Sequence, residues 1–464
     1  SYRRQQAEGW QLNPYEENSK THELEETGKV ASTGFYANTV NQKFTFDATD
    51  KLSFYARGGY YDNKTRRPYE AYDYNILHET FNYGIGAQYM INKGNYITAD
   101  CYADHFSSSY CFFKDNKTYN GKAGEEQVRK RTRNHNLSIK GIFKLGNRHK
   151  LSVGTEYIVD VLKSQTDNIA KEDAYTLALF AQDEIKLLRN LQALIGVRYI
   201  YHENFKNHAT PNVALMYKPG KFNFRASYAA GFRTPTLSEL YATDIAKKND
   251  RLTIGNLDLK PEKNNYFSLS AEYVHERFSV SVNAFYNNIR DMIDYNTIAT
   301  GDKAMEQYGH KEVRQRDNIA EAKVHGINVS ANAYLGAGFN LSGGYTHLNT
   351  QDVELEQPID KSIKNAYNIN AQWAHSWKIY RLNINLNGRF NSKRFSKSYG
   401  YAPEYQLWDL NTRHSFNLKS VIIEPGCGME NLFDYMDDRP YNSNYATLTP
   451  GRSFYISLSL KFKS

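Results

Sequence analysis

No segment of these 464 residues approaches the run of about 18 consecutive apolar residues that a membrane-crossing helix requires. Hydrophobic residues make up 40% and mean hydropathy is −0.71, so a helical membrane protein is excluded. Cysteine is scarce: Cys101, Cys111 and Cys427 show no metal-type spacing and imply no disulfide framework. There is no glycine-rich phosphate loop on a strand-to-helix turn, and no Ser, His and acid set in the order of a nucleophilic site. Nor does a Pro- or Ser-rich linker divide the chain, which favours one large repetitive architecture. The acidic groups Glu23, Glu25 and Glu26, and Asp434, Asp437 and Asp438, fit no calcium-loop spacing and read as solvated charge.

Aromatic residues are abundant, with 38 Tyr and 24 Phe. Together with Asn, Ser and Gly they describe a chain of half-exposed strands. Leu382, Ile384, Leu386 and Phe390 alternate with Arg381, Asn383, Asn385, Asn387 and Arg389. Trp408, Leu410, Phe416 and Leu418 alternate with Asp409, Asn411, Arg413, Ser415 and Asn417; His414 falls on the apolar parity without a visible reason. The last strand sets Phe454, Ile456, Leu458, Leu460 and Phe462 against Tyr455, Ser457, Ser459 and Lys461. One parity suits lipid and the other a wet lumen.

Such runs number about nineteen, each on the order of 10 to 13 residues, the length of a tilted strand crossing a bilayer. Short turns fall at Thr49-Asp50, 92–94, 146–147, 188–190, Pro219-Gly220, His275-Glu276, 336–338, Lys378 and 419–421. Long polar connections alternate with them, near 63–79, 107–132, 160–173, 231–264, 289–321, 350–363, 392–404 and 433–450; only 203–208 is short on that side. This asymmetry predicts a transmembrane antiparallel β-barrel, all-β, with short turns periplasmic and long loops extracellular. Nine hairpins and one last strand make an odd number, whereas a complete bacterial barrel is even. Residues 1–33 are therefore expected to be the remnant of an extracellular loop, and 34–464 a barrel incomplete at its N-terminal side.

Charge is +8, with both signs interspersed, so nucleic acid is not expected as a partner. One basic run, Arg129 to Arg133, reads as a solvated loop or as a contact with lipopolysaccharide phosphates. The lumen parity carries Arg57, Arg198, Arg225, Arg381, Arg389 and Arg413, which either draw an anionic ligand inward or pair with acids of the wall. Tyr60, Tyr61, Trp373, Trp377 and Tyr380 read as an interface girdle.

Three segments resemble the TonB-dependent outer-membrane receptors. Leu177 to Lys186, continuing to Gly196-Val197-Arg198-Tyr199, resembles that family's "QDE" and "GxRY" hairpin. Tyr228 to Tyr241, with Gly231-Phe232-Arg233-Thr234-Pro235, is similar to its "GFRAPxLxELY" box, and Gly255 to Glu262 to its "GNPDLKPE" box. Glu430 to Asp434 and Pro450 to Tyr455 resemble its "NLFD" and "PGRxFY" ending. Leu257 stands where the family has Pro, and Lys463-Ser464 follow the aromatic on which it commonly ends.

The resemblance implies a barrel of 22 strands closed by an N-terminal plug, so about three strands and the plug are expected to be absent here. It further implies an importer of a ferric siderophore, heme or cobalamin, carried as cargo with no resident cofactor, and coupled to TonB through the missing N-terminal region. Phe232, Arg233, Thr234, Pro235, Tyr241, Asn256, Asp258 and His310 are the candidate ligand-binding loop residues. Arg233 offers a planar fork for a carboxylate or phosphate. Heme receptors of the family place a His between the two boxes; residues 236–255 contain none, leaving Tyr241 and His310 as substitutes. The alternatives are a passive porin or structural barrel, and an outer-membrane enzyme, for which no constellation is visible.

Overall fold

The computed structural model describes every residue except 11–14, 19–20, 27–31, 70–71, 247–249, 397–399, 437–448, 450 and 464. Twenty strands form one antiparallel wall. The first seven are β1 Tyr2–Trp10, β2 Ser32–Thr49, β3 Leu52–Arg66, β4 Tyr74–Asn92, β5 Asn95–Phe112, β6 Glu126–Leu145 and β7 His149–Ser164. Then come β8 Ile169–Leu188, β9 Leu191–His202, β10 Lys206–Tyr217, β11 Phe222–Arg233, β12 Glu262–Val274 and β13 Phe278–Thr300. The wall ends with β14 Glu312–Gly336, β15 Phe339–Asp352, β16 Asn365–Trp377, β17 Tyr380–Asn391, β18 Tyr405–Asn417, β19 Val421–Glu430 and β20 Ser453–Phe462. Each pairs with its predecessor; β1 pairs with β2 and β20 with β19, and these outer strands form the two edges of the described wall. No plug domain is among the described residues.

Two expectations are corrected. Tyr2 to Trp10, read as part of a loop, is strand β1, in register with β2 from Tyr2↔Val40 to Trp10↔Ser32, so the wall has twenty strands and not nineteen. Strand length also exceeds the expected 10 to 13 residues: β14 has 25 and β13 has 23. Half of segment 107–132 and most of 289–321, both read as loops, are the upper parts of β5, β6, β13 and β14. One physical reason covers both. Above the lipid both faces are wet, so period-two alternation fades while the backbone ladder continues. All nine short turns lie where the alternation put them.

Register fixes the two faces. Ile195 lies opposite Val213, Leu215 opposite Ala226, and Leu269 opposite Ala284, all on the outer face. The inner face is polar and satisfies itself across strands. Ser227 bonds Ser268 at 2.6 Å, Ser281 bonds Ser330 at 2.8 Å, and Asn370 donates to Asn385 at 2.6 Å. Near the short turns an outer aromatic girdle runs Trp373–Trp377–Tyr380–Phe416, with ring centroids 6.2, 5.5 and 5.1 Å apart. His414 belongs to that girdle: its Nδ1 lies 2.8 Å from the Tyr380 hydroxyl, which explains a polar ring on the apolar parity. Tyr61, expected in the girdle, pairs with Thr80 on the inner face instead, while Tyr60 is outward.

Ile139 and Ser138 are neighbours on β6 with opposite facing. Ile139→Arg is expected to lower stability by about 2–4 kcal/mol in equilibrium refolding into phospholipid vesicles. Ser138→Arg, opposite Glu156 on the lumen face, is expected to cost less than about 1 kcal/mol.

Candidate functional site: the extracellular mouth

β11 ends at Arg233, the chain bends at buried Pro235, and a five-residue helix α1, Leu237–Tyr241, follows. So short a helix needs external support. A capping box supplies part of it: the Glu239 amide donates to Thr236 Oγ1 at 3.2 Å, and the Thr236 amide to Glu239 Oε2 at 2.8 Å. Arg233 supplies more, donating through Nη1 to Glu239 Oε2 at 2.9 Å and through Nη2 and Nε to Glu262 at 2.6 and 2.9 Å. Glu262 Oε1 also accepts from the Ile293 amide at 2.8 Å. The fork that the sequence offered to a ligand is thus filled by two carboxylates of the chain itself. Burial pushes both carboxyls up, but the Arg233 hydrogen bonds outweigh it and hold them below their ordinary range.

The second box closes onto the first. Gly255 N–H donates to Ala242 O at 2.7 Å and Asn256 N–H to Glu239 O at 3.1 Å. A Cβ on Gly255 would lie 2.5 Å from Leu240 O, so only glycine permits this approach. Asn256 Oδ1 accepts from the Asp258 amide at 2.9 Å and shapes the turn, while Leu257 is 67% exposed, so the family's Pro is not needed for packing. Leu240, Leu259 and Ile293 form a small core, with Phe205 and Tyr241 packed against it. Phe205 lies on the short β9–β10 connection, and His208 stacks on Phe232 at 4.6 Å. The one short extracellular connection therefore provides the seat for both boxes.

Tyr241 is held in that packing, its hydroxyl pushed up by burial and by Glu172 and Glu203. His310 sits elsewhere, after helix α2 Gly301–Tyr308, with Nδ1 2.9 Å from Asp250 Oδ1; this bond holds the Asp250 carboxyl below its usual range. The same two loops are joined where Arg251–Ile254 runs parallel to Glu312–Gln315, over a core of Ala299, Ala304 and Val313. The structure thus gathers Phe232, Arg233, Thr234, Pro235, Tyr241, Asn256 and Asp258 into one architectural unit and leaves His310 on a separate loop tie.

Beside this unit lies a polar cavity of about 170 Å³, lined by Asp167, Ser238, Asp244, Arg251, Arg314 and Arg316 among others. Arg251 Nε is buried with no hydrogen-bond partner. Arg316 lies 3.5 Å from the Tyr295 ring centroid, and Arg314 Nε bonds Glu312. Asp167 is engaged by Ser238 Oγ at 3.3 Å and Lys130 Nζ at 3.4 Å. Burial and Asp167 push the Asp244 carboxyl up. The sequence signal was Arg314-Gln315-Arg316, two arginines on one strand parity, missed because that stretch read as a loop.

Lower down, all six predicted arginines take the lumen face. Arg198 is ion-paired to Glu156, and Arg57 lies over the Tyr102 ring at 4.7 Å. Arg225 Nε reaches Met216 Sδ at 3.3 Å. Arg381, Arg389 and Arg413 make no ion pair among the described residues. The terminal boxes are structural: Asn431 N–H donates to Asp409 Oδ1 and Arg452 N–H to Asp434 Oδ1, at 2.9 and 2.7 Å. Among the described residues no three His, Cys, Asp or Glu side chains are grouped to hold a metal; Asp437, Asp438 and Pro450 lie outside them.

A family model described as "TonB dependent receptor-like, beta-barrel" matches residues 9–431. Among solved structures, a mutant of the ferric enterobactin receptor of Pseudomonas aeruginosa is 16% identical, with a TM-score of 0.78, over 97% of this chain and 72% of its own. The siderophore receptor PirA of Acinetobacter baumannii is 15% identical, with a TM-score of 0.76, over 100% and 75%. The FrpB iron transporter of Neisseria meningitidis is 14% identical, with a TM-score of 0.71, over 99% and 75%. At these TM-scores the chains share a fold.

Arg233→Ala is expected to strand two mostly buried carboxylates and loosen the mouth by roughly 1–3 kcal/mol, discounted because the guanidinium is itself half in water. Hydrogen exchange at the Gly255 and Asn256 amides reads this. Because the folded pKa values of Glu239 and Glu262 are lowered, their contribution is complete above the unfolded carboxylate pKa of about 4.3 and is lost as pH falls through the folded values. Protection in the unmodified protein should therefore hold at pH 5 and fail only below about pH 4. In Arg233→Ala it should already be weak at pH 5.

Proposed function

Because this chain belongs to the TonB-dependent receptor β-barrel family, we propose that it is the channel wall and capture mouth of an outer-membrane importer for a ferric siderophore. The family is one of receptors and transporters, not of enzymes. No helix among the described residues is long and apolar enough to cross a membrane, and crossing falls to the strands. Twenty wall strands exceed the 16 to 18 of a porin, which counts against passive diffusion as the function.

The observation that carries the ligand reading is the clustering of guanidinium groups, of which Arg251 Nε is buried without a hydrogen-bond partner while Arg314 is paired with Glu312. Arg251, Arg314 and Arg316 meet in the mouth cavity beside Asp167 and Asp244, and Arg381, Arg389 and Arg413 line the lumen below without an ion pair among the described residues. Such a file suits an anionic metal chelate that must be captured and then passed on. Heme fits less well, because Tyr241 is packed in a core and His310 is engaged by Asp250.

The intact receptor, purified and incubated with ferric catecholate and hydroxamate chelates, heme and cobalamin, should retain an anionic ferric chelate. Arg314→Ala with Arg316→Ala should weaken that retention at least tenfold, the loss of about one charge-assisted contact. Co-purification of the heme or cobalamin absorbance band, with no retained ferric chelate, would reject the siderophore reading.

A further inference from the structure

We propose that the outer face of β5, β6 and β7, immediately above the lipid belt, is a binding site for the phosphates of an outer-leaflet lipid head group, held by Arg131, Arg133 and Lys163. This is independent of which ligand crosses the wall, and it uses the face that points away from the lumen.

The pattern along β6 sets the height. Reading upward on its outer parity, Leu145, Phe143, Gly141, Ile139 and Leu137 form the apolar column; His135, Arg133 and Arg131 come next. On β5 the sequence is Ile97, Ala99, Cys101, Ala103 and then His105; on β7 it is Val153, Thr155, Tyr157, Val159, Val161 and then Lys163. Outward Tyr157 and Tyr175, with centroids 5.9 Å apart, mark the upper interface. The cations therefore stand one to three outward positions above the last apolar residue of their strands, Lys163 one above Val161 and Arg133 and Arg131 two and three above Leu137, where head-group phosphates lie.

Cross-strand register brings these cations together. Arg131 lies directly opposite Lys163, and Arg133 directly opposite His105. Like charges in directly opposed positions destabilise a sheet unless something neutralises them. Among the described residues the protein does not: Arg131, Arg133 and Lys163 are exposed and make no ion pair or hydrogen bond. The nearby acids already have other partners. Glu79 accepts from the Tyr60 hydroxyl at 2.8 Å and Ser107 Oγ at 3.5 Å, and Asp173 is paired with Lys171 at 3.0 Å.

A groove of about 240 Å³ runs beside them, with Phe81 and Tyr60 below, Arg131 and Arg133 above, and the Tyr60-bonded carboxylate of Glu79 in its wall. Within it His105 Nε2 is buried without a hydrogen-bond partner. A phosphate monoester there would accept from both guanidinium groups and separate Arg131 from Lys163, while its acyl chains descend over Ile139 and Leu137. The same rule recurs across the wall, where exposed Lys263 pairs in register with exposed Arg290 above Phe267 and Leu269.

The test uses the intact receptor in detergent with native mass spectrometry to count retained lipid. Bis-phosphorylated lipid A should be retained over phosphatidylcholine, and its dephosphorylated form should not. Arg131→Gln, Arg133→Gln and Lys163→Gln together should lower retention at least tenfold, while Arg131→Lys with Arg133→Lys should keep most of it. Folding of each variant is checked by heat-modifiable migration on a gel. Equal retention by the folded glutamine variant, or equal retention of dephosphorylated lipid A, overturns the proposal. So does full displacement of lipid A by millimolar inorganic phosphate, which would make this a site for a soluble anion.

Discussion

Inside a hydrocarbon slab a backbone amide has no water to turn to, so every N–H and C=O of this chain at membrane depth must find its partner in a neighbouring strand. That requirement governs the rest of the structure. It fixes an antiparallel ladder with tight turns on one side, and it frees the side chains from building a core. Buried hydrophobic residues among those described are accordingly few, and about half of them are alanines such as Ala103, Ala174 and Ala178. Large apolar side chains lie outward instead, Ile195 and Leu269 among them, where a soluble protein would not tolerate them. The inner face meets its own polar groups through Ser–Ser and Asn–Asn contacts between strands, so the lumen is wet without being a set of unmet hydrogen-bonding groups.

Above the membrane the constraint relaxes and ordinary protein packing returns on a small scale. Leu240, Leu259 and Ile293 make one core and Ala299, Ala304 and Val313 another, neither large enough to hold a loop alone. Charge and backbone contacts complete them. Arg233 joins the exit of β11, helix α1 and the start of β12 through two carboxylates, so one side chain closes a connection of 28 residues. The shortness of the β9–β10 connection is part of the same arrangement, because a longer loop there would occupy the place of Phe205 and the two boxes.

Much of this was legible in the chain. Alternation such as Leu382 to Phe390 against Arg381 to Arg389 identified both faces, and Pro219-Gly220 or Gly336-Ala337-Gly338 marked the turns, because lipid imposes a period that composition must obey. What alternation could not show was strand where no lipid enforces it. Tyr2 to Trp10 and the upper parts of β13 and β14 lack a clean alternation, yet their ladders continue, the latter through three register shifts. The mouth was partly legible: the boxes around Arg233 and Asp258 do come together. Their chemistry was not, because a guanidinium fork in sequence gives no sign of whether a ligand or Glu239 and Glu262 will fill it. Arg314 and Arg316 were missed for the same reason as the strand that bears them.

The contrast between paired and unpaired arginines separates architecture from transport. Arg233 and Arg198 are matched with carboxylates of the chain, so an incoming anion gains little from them and would have to displace a partner that is already in place. Arg381, Arg389 and Arg413 carry no such partner, and the amide and hydroxyl groups around them already bond one another. Their field therefore acts at a distance and weakly, which favours entry without creating a deep trap. A conduit needs this division: tight pairs where the mouth must keep its shape, and diffuse positive potential where cargo must arrive and then leave.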